Sequence, residues 1–296
     1  MGGLKIKLPA IGDVTDLPTV ADDAMLRDGS LMIIDPTNSN DPWDAGVPAG
    51  GTTMPNVALA QAADLIGSGD ASTLGAVWSY SSAITGTVGL IERTTKGGVH
   101  VIASQTNWSS NYVARLTLPS LIKQYLVDHP THKFYASQWY RPTRQAINTG
   151  LAASFRAPKF ELQHSSGPGT GYLIYLNSSD IYPVSGLIDG KEVSPSPDDL
   201  DDCFAAGSVT NWTGSVPADA AHVVAEVGWG ALTAYTSSSW YNKHGSHVLY
   251  RFTLEDLTIS GLSFSEVREQ DKELWQYAVG SGRYSGDSWT DPSTIP

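Results

Sequence analysis

The chain has 296 residues, of which 41% are hydrophobic and 16% are charged, so it is long and apolar enough to bury a full core. This composition excludes a disordered chain, a coiled coil and a long charged helical rod. The net charge is −12, from 18 basic and 30 acidic side chains, and the absence of Lys and Arg clusters argues against a nucleic-acid partner.

The N-terminal part of the sequence predicts an extended attachment arm. Residues 31–34 form a short β-like run, but residues 41–55 are rich in Pro, Gly and Thr, with Trp43 as their only aromatic residue. Such a stretch has too few apolar side chains to build a core of its own. We therefore expect residues 1–70 to dock on another polypeptide by strand addition, with Trp43 and Met54 as apolar anchors.

The sequence after this arm predicts a β-sandwich. Short runs of aromatic and β-branched residues, bounded by Gly, Pro, Ser or Asn, predict strands. The predicted strands are 76–80, 87–92, 99–104, 112–118, 133–140, 153–163, 171–177, 222–229, 232–236 and 247–254. The predicted helices are 56–66, 119–128 and 263–277. Ser263 or Ser265 is the expected N-cap of the last helix. This spacing is typical of a sandwich or jelly roll over residues 71–296, and not of βαβ units.

One segment carries a resemblance to a known fold. Residues 132–143, HKFYASQWYRPT, place Phe134, Ala136 and Gln138 on one face and Tyr135, Ser137 and Trp139 on the other, and they end in an aromatic residue, a variable residue, Arg-Pro and Thr. This segment resembles a strand of concanavalin A-like and laminin-G-like sandwiches, and residues 160–163 and 171–176 fit the next hairpin of such a fold. The resemblance implies a concanavalin A-like or jelly-roll sandwich with a few short helices.

The C-terminal part carries a second resemblance. Residues 248–261, VLYRFTLEDLTISG, are followed by Asp271 and then by residues 282–292, GRYSGDSWTDP. This pattern resembles the ending of tailed-bacteriophage structural proteins of tails, fibres or capsid surfaces. Residues 28–31, Asp-Gly-Ser-Leu, together with Asp35, resemble the start of such proteins.

The phage resemblance implies a non-enzymatic virion component in a tail or fibre. It implies contacts with other virion proteins and a homo-oligomer, with a trimer favoured by analogy to phage appendages. The single cysteine, Cys203, excludes an internal disulfide and fits synthesis in the host cytoplasm. No apolar run reaches the roughly 20 residues that span a bilayer, so we expect no membrane insertion.

Several aromatic residues lie among polar neighbours and are candidates for binding host-surface polysaccharide. They are Trp108, Trp212, Trp240 and Tyr241. Aromatic faces can stack on sugar rings while nearby Asn, Asp and Ser bind hydroxyls. The alternative is that these rings fold back over the sandwich ends or pack at a subunit interface.

The dense acidic run at residues 194–202 is the candidate metal site. Its carboxylates are Asp198, Asp199, Asp201 and Asp202. Oxygen-rich loops suit Ca²⁺, and lectin-type sandwiches often bind this ion at loops, but the ligand spacing of an EF-hand is missing. The alternative is a solvated acidic loop, in which case the protein needs no cofactor.

The sequence predicts no catalytic residue. A Gly-x-Ser-x-Gly elbow is absent. Glu161, Asp189, Glu226 and Glu255 fall on or near predicted strands, but the sequence does not show that any two of them converge. Two alternatives to a tail or fibre protein stay open. One is a capsid decoration, cement or head-fibre protein, and the other is a polysaccharide-degrading tail enzyme with a carboxylate pair in a groove.

Overall fold

A computed structural model describes most of the chain, namely residues 23–38, 43, 46–110, 112–147, 159–165, 171–176, 181–182, 188–194, 200–210, 212–230 and 241–296. The strands of this part are β1 Ser30–Ile34, β2 Thr53–Met54, β3 Ala76–Tyr80, β4 Gly89–Arg93, β5 Val99–Ala103, β6 Tyr112–Thr117, β7 Lys133–Arg144, β8 Lys159–His164, β9 Gly171–Leu176, β10 Ile181–Tyr182, β11 Ile188–Ser194, β12 Cys203–Thr210, β13 Thr213–Gly214, β14 Val223–Gly230 and β15 Ser246–Asp256. The helices are α1 Leu59–Ile66, α2 Ala71–Leu74, α3 Ser120–Asp128, α4 Leu257–Ser260 and α5 Phe264–Gly280. Short 3-10 turns occupy Ala220–His222 and Pro292–Thr294.

The strands form two antiparallel sheets, which confirms that the chain is mainly β with few helices. The first sheet has seven strands in the order β11-β12-β7-β15-β5-β4, with β1 also paired to β15. The second has eight strands in the order β10-β9-β8-β14-β6-β3-β2, with β13 also paired to β9. One apolar core joins the sheets, and in it Phe160 of β8 packs on Phe252 of β15 with ring centroids 4.6 Å apart.

Helix α5 covers the opposite face of the seven-stranded sheet. Its Trp275 packs on Phe204 of β12, and a second apolar cluster forms around this contact. Because the sheet is covered on both sides, all 11 residues of β15 are buried. Ser263, one of the two N-cap residues that the sequence offers, caps α5 through a capping box with Glu266. Within the described ranges, no helix combines the length and the apolar character needed to cross a membrane.

The prediction that residues 1–70 form an arm on another polypeptide is wrong for the described part of that segment. Strand β1 pairs with β15 of the same chain. Trp43 packs on Trp78 with ring centroids 6.4 Å apart and is 4% exposed, and Met54 is 3% exposed. The segment lacks a core of its own because its few apolar side chains complete the core of the sandwich. Residues 1–22 lie outside the described part of the chain.

Candidate functional sites

Two of the four predicted sugar-stacking residues are buried, which corrects that prediction. Trp108 is 1% exposed and Trp212 is 5% exposed, and both belong to the core between the sheets. Trp212 Nε1 donates a hydrogen bond to the carbonyl of Leu126. Neither indole face can reach a ligand in solvent. Tyr241 is half-buried, and Trp240 lies outside the described residues.

The described half of the predicted calcium loop is engaged by an arginine. Arg141 Nη1 donates to Asp202 Oδ2 at 2.9 Å, and its Nη2 lies 4.0 Å from Asp201 Oδ1. Burial raises the pKa of Asp202, although the charge of Arg141 opposes that shift. Asp198 and Asp199 lie outside the described residues. Within the described ranges, no group of three or more His, Cys, Asp or Glu side chains could hold a metal ion.

The seven-stranded sheet and α5 enclose a charged cluster that the sequence does not predict. Arg251 of β15 is 1% exposed. Its Nη1 donates to Asp23 Oδ2 at 2.7 Å and to Asp35 Oδ2 at 3.0 Å, and its Nη2 donates to Asp23 Oδ1 at 2.7 Å. The guanidinium also lies over the ring of Trp139, 4.9 Å from its centroid. A planar cation is thus held rigidly between two carboxylates and an aromatic face.

The electrostatics of this cluster favour the charged forms of Asp23 and Arg251. Burial opposes the charge on Asp23, but hydrogen bonds and the charge of Arg251 outweigh it and lower the pKa of Asp23. Burial likewise opposes the charge on Arg251, but Asp23 and Asp35 raise its pKa above its usual value. Arg283 also donates to Asp35 Oδ2. The cluster thus contains two arginines and two aspartates, whose formal charges cancel.

A cavity of about 330 Å³ opens beside the cluster. Its wall includes Asp23, Trp139, Arg251, Leu274, Tyr277 and Arg283. Tyr277 is 67% exposed, the largest exposed fraction among the large hydrophobic side chains of the described residues. The cavity thus combines an exposed aromatic ring with fixed donors and acceptors.

Helix α5 is fixed against the sheet by a buried carboxylate. Asp271 Oδ2 accepts a hydrogen bond from the Tyr135 hydroxyl at 2.7 Å, and its Oδ1 accepts from Trp139 Nε1 at 2.9 Å. The Ser137 hydroxyl donates to the same carboxylate. Burial raises the pKa of Asp271, although the charge of Arg251 and these hydrogen bonds oppose the shift. The helix wall of the cavity is therefore set by hydrogen bonds as well as by apolar packing.

A second cavity, of about 510 Å³, lies beside α1 and α2. Two of its polar wall residues serve the fold. The Asn56 side chain accepts from the Ile33 amide and donates to the Leu31 carbonyl. Asp70 caps α2 by accepting from backbone amides of that helix. These two polar groups of its wall are thus engaged by the protein's own backbone.

The structure brings together two glutamates, Glu161 and Glu226. The sequence predicts that they lie on or near strands but not that they are close to each other. Glu161 of β8 and Glu226 of β14 lie directly opposite each other in the antiparallel register. Side chains in such pairs have Cβ atoms roughly 4.5–5.5 Å apart. Arg115 Nη1 lies 2.9 Å from Glu226 Oε1. Glu161 is fully buried and Glu226 is 5% exposed, so the pair sits beneath the surface.

A histidine links a carboxylate to a hydroxyl on the seven-stranded sheet. His100 Nδ1 lies 2.8 Å from Glu92 Oε1, and its Nε2 lies 2.9 Å from Thr143 Oγ1. Glu92 also accepts hydrogen bonds from the amide and hydroxyl of Thr290. The order of groups is that of a nucleophile–base–acid triad. His100 is fully buried, and Glu92 is shared with the C-terminal segment. We therefore assign the hydrogen bonds that link Thr143, His100 and Glu92 a structural role.

Comparison of the chain with protein-family models, with curated proteins and with solved structures finds no match in any of the three.

Proposed function

We propose that this chain is a non-enzymatic structural component of a tailed-phage virion, located in a tail or fibre, with a concanavalin A-like or jelly-roll sandwich that attaches to host-surface glycans. One observation supports it most. The N-terminal and C-terminal segments that resemble phage structural proteins are far apart in sequence but form one unit. Strand β1 pairs with β15, and Arg251 binds Asp35.

Close packing inside this unit explains some of the resembling residues. Gly29 leaves no room for a Cβ against the carbonyl of Asp256. Asp271 accepts the hydrogen bonds that hold α5. The Tyr284 hydroxyl lies within hydrogen-bond distance of two acceptors, Asp35 Oδ1 at 3.2 Å and the Tyr250 carbonyl at 3.0 Å. The residues that carry the resemblance therefore hold the N-terminal and C-terminal segments together.

The proposal includes assembly with other virion proteins and a homotrimer. The described residues of the predicted arm belong to the sandwich, so within the described part of the chain the proposed contacts between subunits involve the outer surface of the folded domain. Sedimentation equilibrium of the purified full chain tests the trimer, since a monomeric mass would exclude it.

The location is tested by immunogold labelling of purified phage particles with antibodies against the full chain. Label on the tail or on fibres supports the proposal. Label on the head instead supports a capsid decoration or head-fibre protein. Particles that carry no label, from a lysate in which the antibody detects the protein, would refute a virion role.

The facing glutamates favour a second candidate function, cleavage of a polysaccharide. Retaining glycosidases use two carboxyl groups about 5–5.5 Å apart, a separation within reach of Glu161 and Glu226. Their burial ranks this function second. The test measures the release of reducing ends from host polysaccharide by the wild type and by E226Q. The control variant is E273Q, because Glu273 is an exposed residue of α5. Release that E226Q abolishes and E273Q retains would establish an enzyme.

A further inference from the structure

We propose that the cavity between β15 and α5 is a binding subsite for one neutral sugar unit of a glycan, with Tyr277 as the stacking surface and with Asp23 and Arg283 as the hydroxyl-binding groups. This inference rests on the proposed attachment to glycans and gives it a location. It replaces the buried Trp108 and Trp212 as the aromatic platform.

The aromatic platform is Tyr277. On the same helix, Trp275 is 7% exposed and packs on the sheet, whereas Tyr277 is 67% exposed at the mouth of the cavity. Leu274 lies one turn before Tyr277 and also lines the cavity, so the two form a continuous apolar strip. The C–H face of a pyranose ring is apolar and packs on such a surface, with the phenolic hydroxyl free to meet water or a sugar hydroxyl.

The polar wall is organised before any ligand arrives. Asp23 and Asp35 hold the guanidinium of Arg251, and Trp139 supports its face. Preorganised groups bind more tightly because no side-chain freedom is lost on binding. The Arg251 guanidinium is itself buried, so it positions the Asp23 carboxylate and does not bind the ligand directly.

The charge and size of the cavity select the class of ligand. The charges of Arg251 and Arg283 are balanced by those of Asp23 and Asp35, so the wall favours a neutral polyol over an anionic sugar. The remaining donors of half-exposed Arg283 and the carboxylate of Asp23 suit hydroxyl groups. A volume of about 330 Å³ is at the lower end of the roughly 300–1,000 Å³ typical of small-molecule sites. It therefore suits one sugar unit, with the rest of the glycan outside.

The test is saturation-transfer difference NMR on the full chain with glucose, galactose, mannose and N-acetylglucosamine at millimolar concentration, and with N-acetylneuraminic acid as the anionic comparison. We expect at least one neutral sugar to bind in preference to the anionic one. Its Kd should rise at least tenfold in Y277A and stay within about twofold in Y277F, which keeps the ring. Tyr80, which is 36% exposed and lies on β3, provides the matched control Y80A.

Binding of none of the neutral sugars, or binding that Y277A leaves unchanged, would overturn the subsite. R283Q gives a second measurement, with an expected loss of affinity of at least fivefold and a melting temperature that reports whether the domain stays folded. The outcome is separable from the virion proposal. Sugar binding without label on particles would support the subsite and reject the virion role. Labelled particles without sugar binding would support the virion role and reject the subsite.

Discussion

The molecule has two interiors, and β15 forms a wall of both: the space between the sheets is an apolar core, whereas the α5 side combines a second apolar cluster with the charged cluster around Arg251. Phe252 points into the space between the two sheets, where Phe160 and its neighbours make an apolar core. Arg251, the preceding residue, points to the α5 side and binds Asp23 and Asp35. The alternation of side chains along a strand thus separates the two chemistries by one residue.

The two interiors stabilise the fold in different ways. The apolar core gains from removal of surface from water and does not require exact partners. A buried ion cluster gains little net stability, because desolvation opposes the Coulomb attraction, but removing one partner leaves an uncompensated charge. The charged interior therefore specifies which segments meet, and the apolar interior provides the larger part of the stability.

The largest expected effect is in the apolar interior. Replacement F252A removes a fully buried ring and should lower the free energy of unfolding by about 3–5 kcal/mol. Because no charge is involved, the loss should be the same at low and high salt. Guanidinium and urea denaturation check it, and a loss below 1 kcal/mol would mean that this core is loosely packed.

A comparable loss of stability is expected at Arg251, the preceding residue of β15, but there it comes from unpaired charge. R251M leaves buried Asp35 and largely buried Asp23 without their main cation and should cost about 3–5 kcal/mol at neutral pH. The double variant D23N/R251M should recover part of this loss, because it removes one of the two carboxylates that R251M leaves without a cation. Arg268, whose ion pairs on α5 are partly exposed, gives the control R268M, which should cost no more than about 1 kcal/mol.

A smaller, pH-dependent effect is expected at Glu255. Burial raises the pKa of Glu255 to about 7, although the charge of Arg27 opposes the shift. A carboxyl group with a raised pKa in the folded state stabilises the fold at low pH, and this contribution disappears as pH rises from about 4.5 to 7. The difference between wild type and E255Q should therefore change by up to about 3 kcal/mol across that range. A pH-independent difference would show that Glu255 titrates normally.

The smallest effect is expected at the start of the helix that separates the charged interior from solvent. Ser263 accepts from the Glu266 amide and caps α5. S263A should cost about 1 kcal/mol, and S265A, two residues further along, should cost less because Ser265 is not the cap. Thermal unfolding monitored by circular dichroism measures both, and equal costs would reject the assigned cap.

The sequence predicts those elements whose own residues carry the pattern. Strand 76–80 is predicted with its observed bounds because alternating residues of AVWSY are apolar. Strand β12, CFAAGSVT, was missed because its small residues have low β-propensity. It is a strand because it pairs with β7 and is covered by α5, and neither condition is local.

The candidate site depends still more on tertiary structure. Trp108 has polar neighbours in sequence, which suggested exposure, but its ring is in the core. Arg251 has the pattern of an ordinary strand residue, and it is buried because the distant segment that carries Asp23 and Asp35 folds against it. Tyr277 continues the helical pattern of residues 263–277, so nothing in that pattern distinguishes an exposed ring beside a cavity from one that packs inward. One local hint was available, since Asp35 belongs to the N-terminal segment that resembles phage proteins.

The pairing of β1 with β15 has a consequence for synthesis on the ribosome. Ile34 lies opposite Phe252. Strand β1 is synthesised early and cannot pair until β15, near the end of the chain, has been synthesised. Contacts between residues this distant in sequence form slowly, because a long loop has to close first. During translation the apolar residues of β1 therefore remain without their partner until most of the chain has emerged, and a chaperone that shields them in that interval would raise the yield of folded protein.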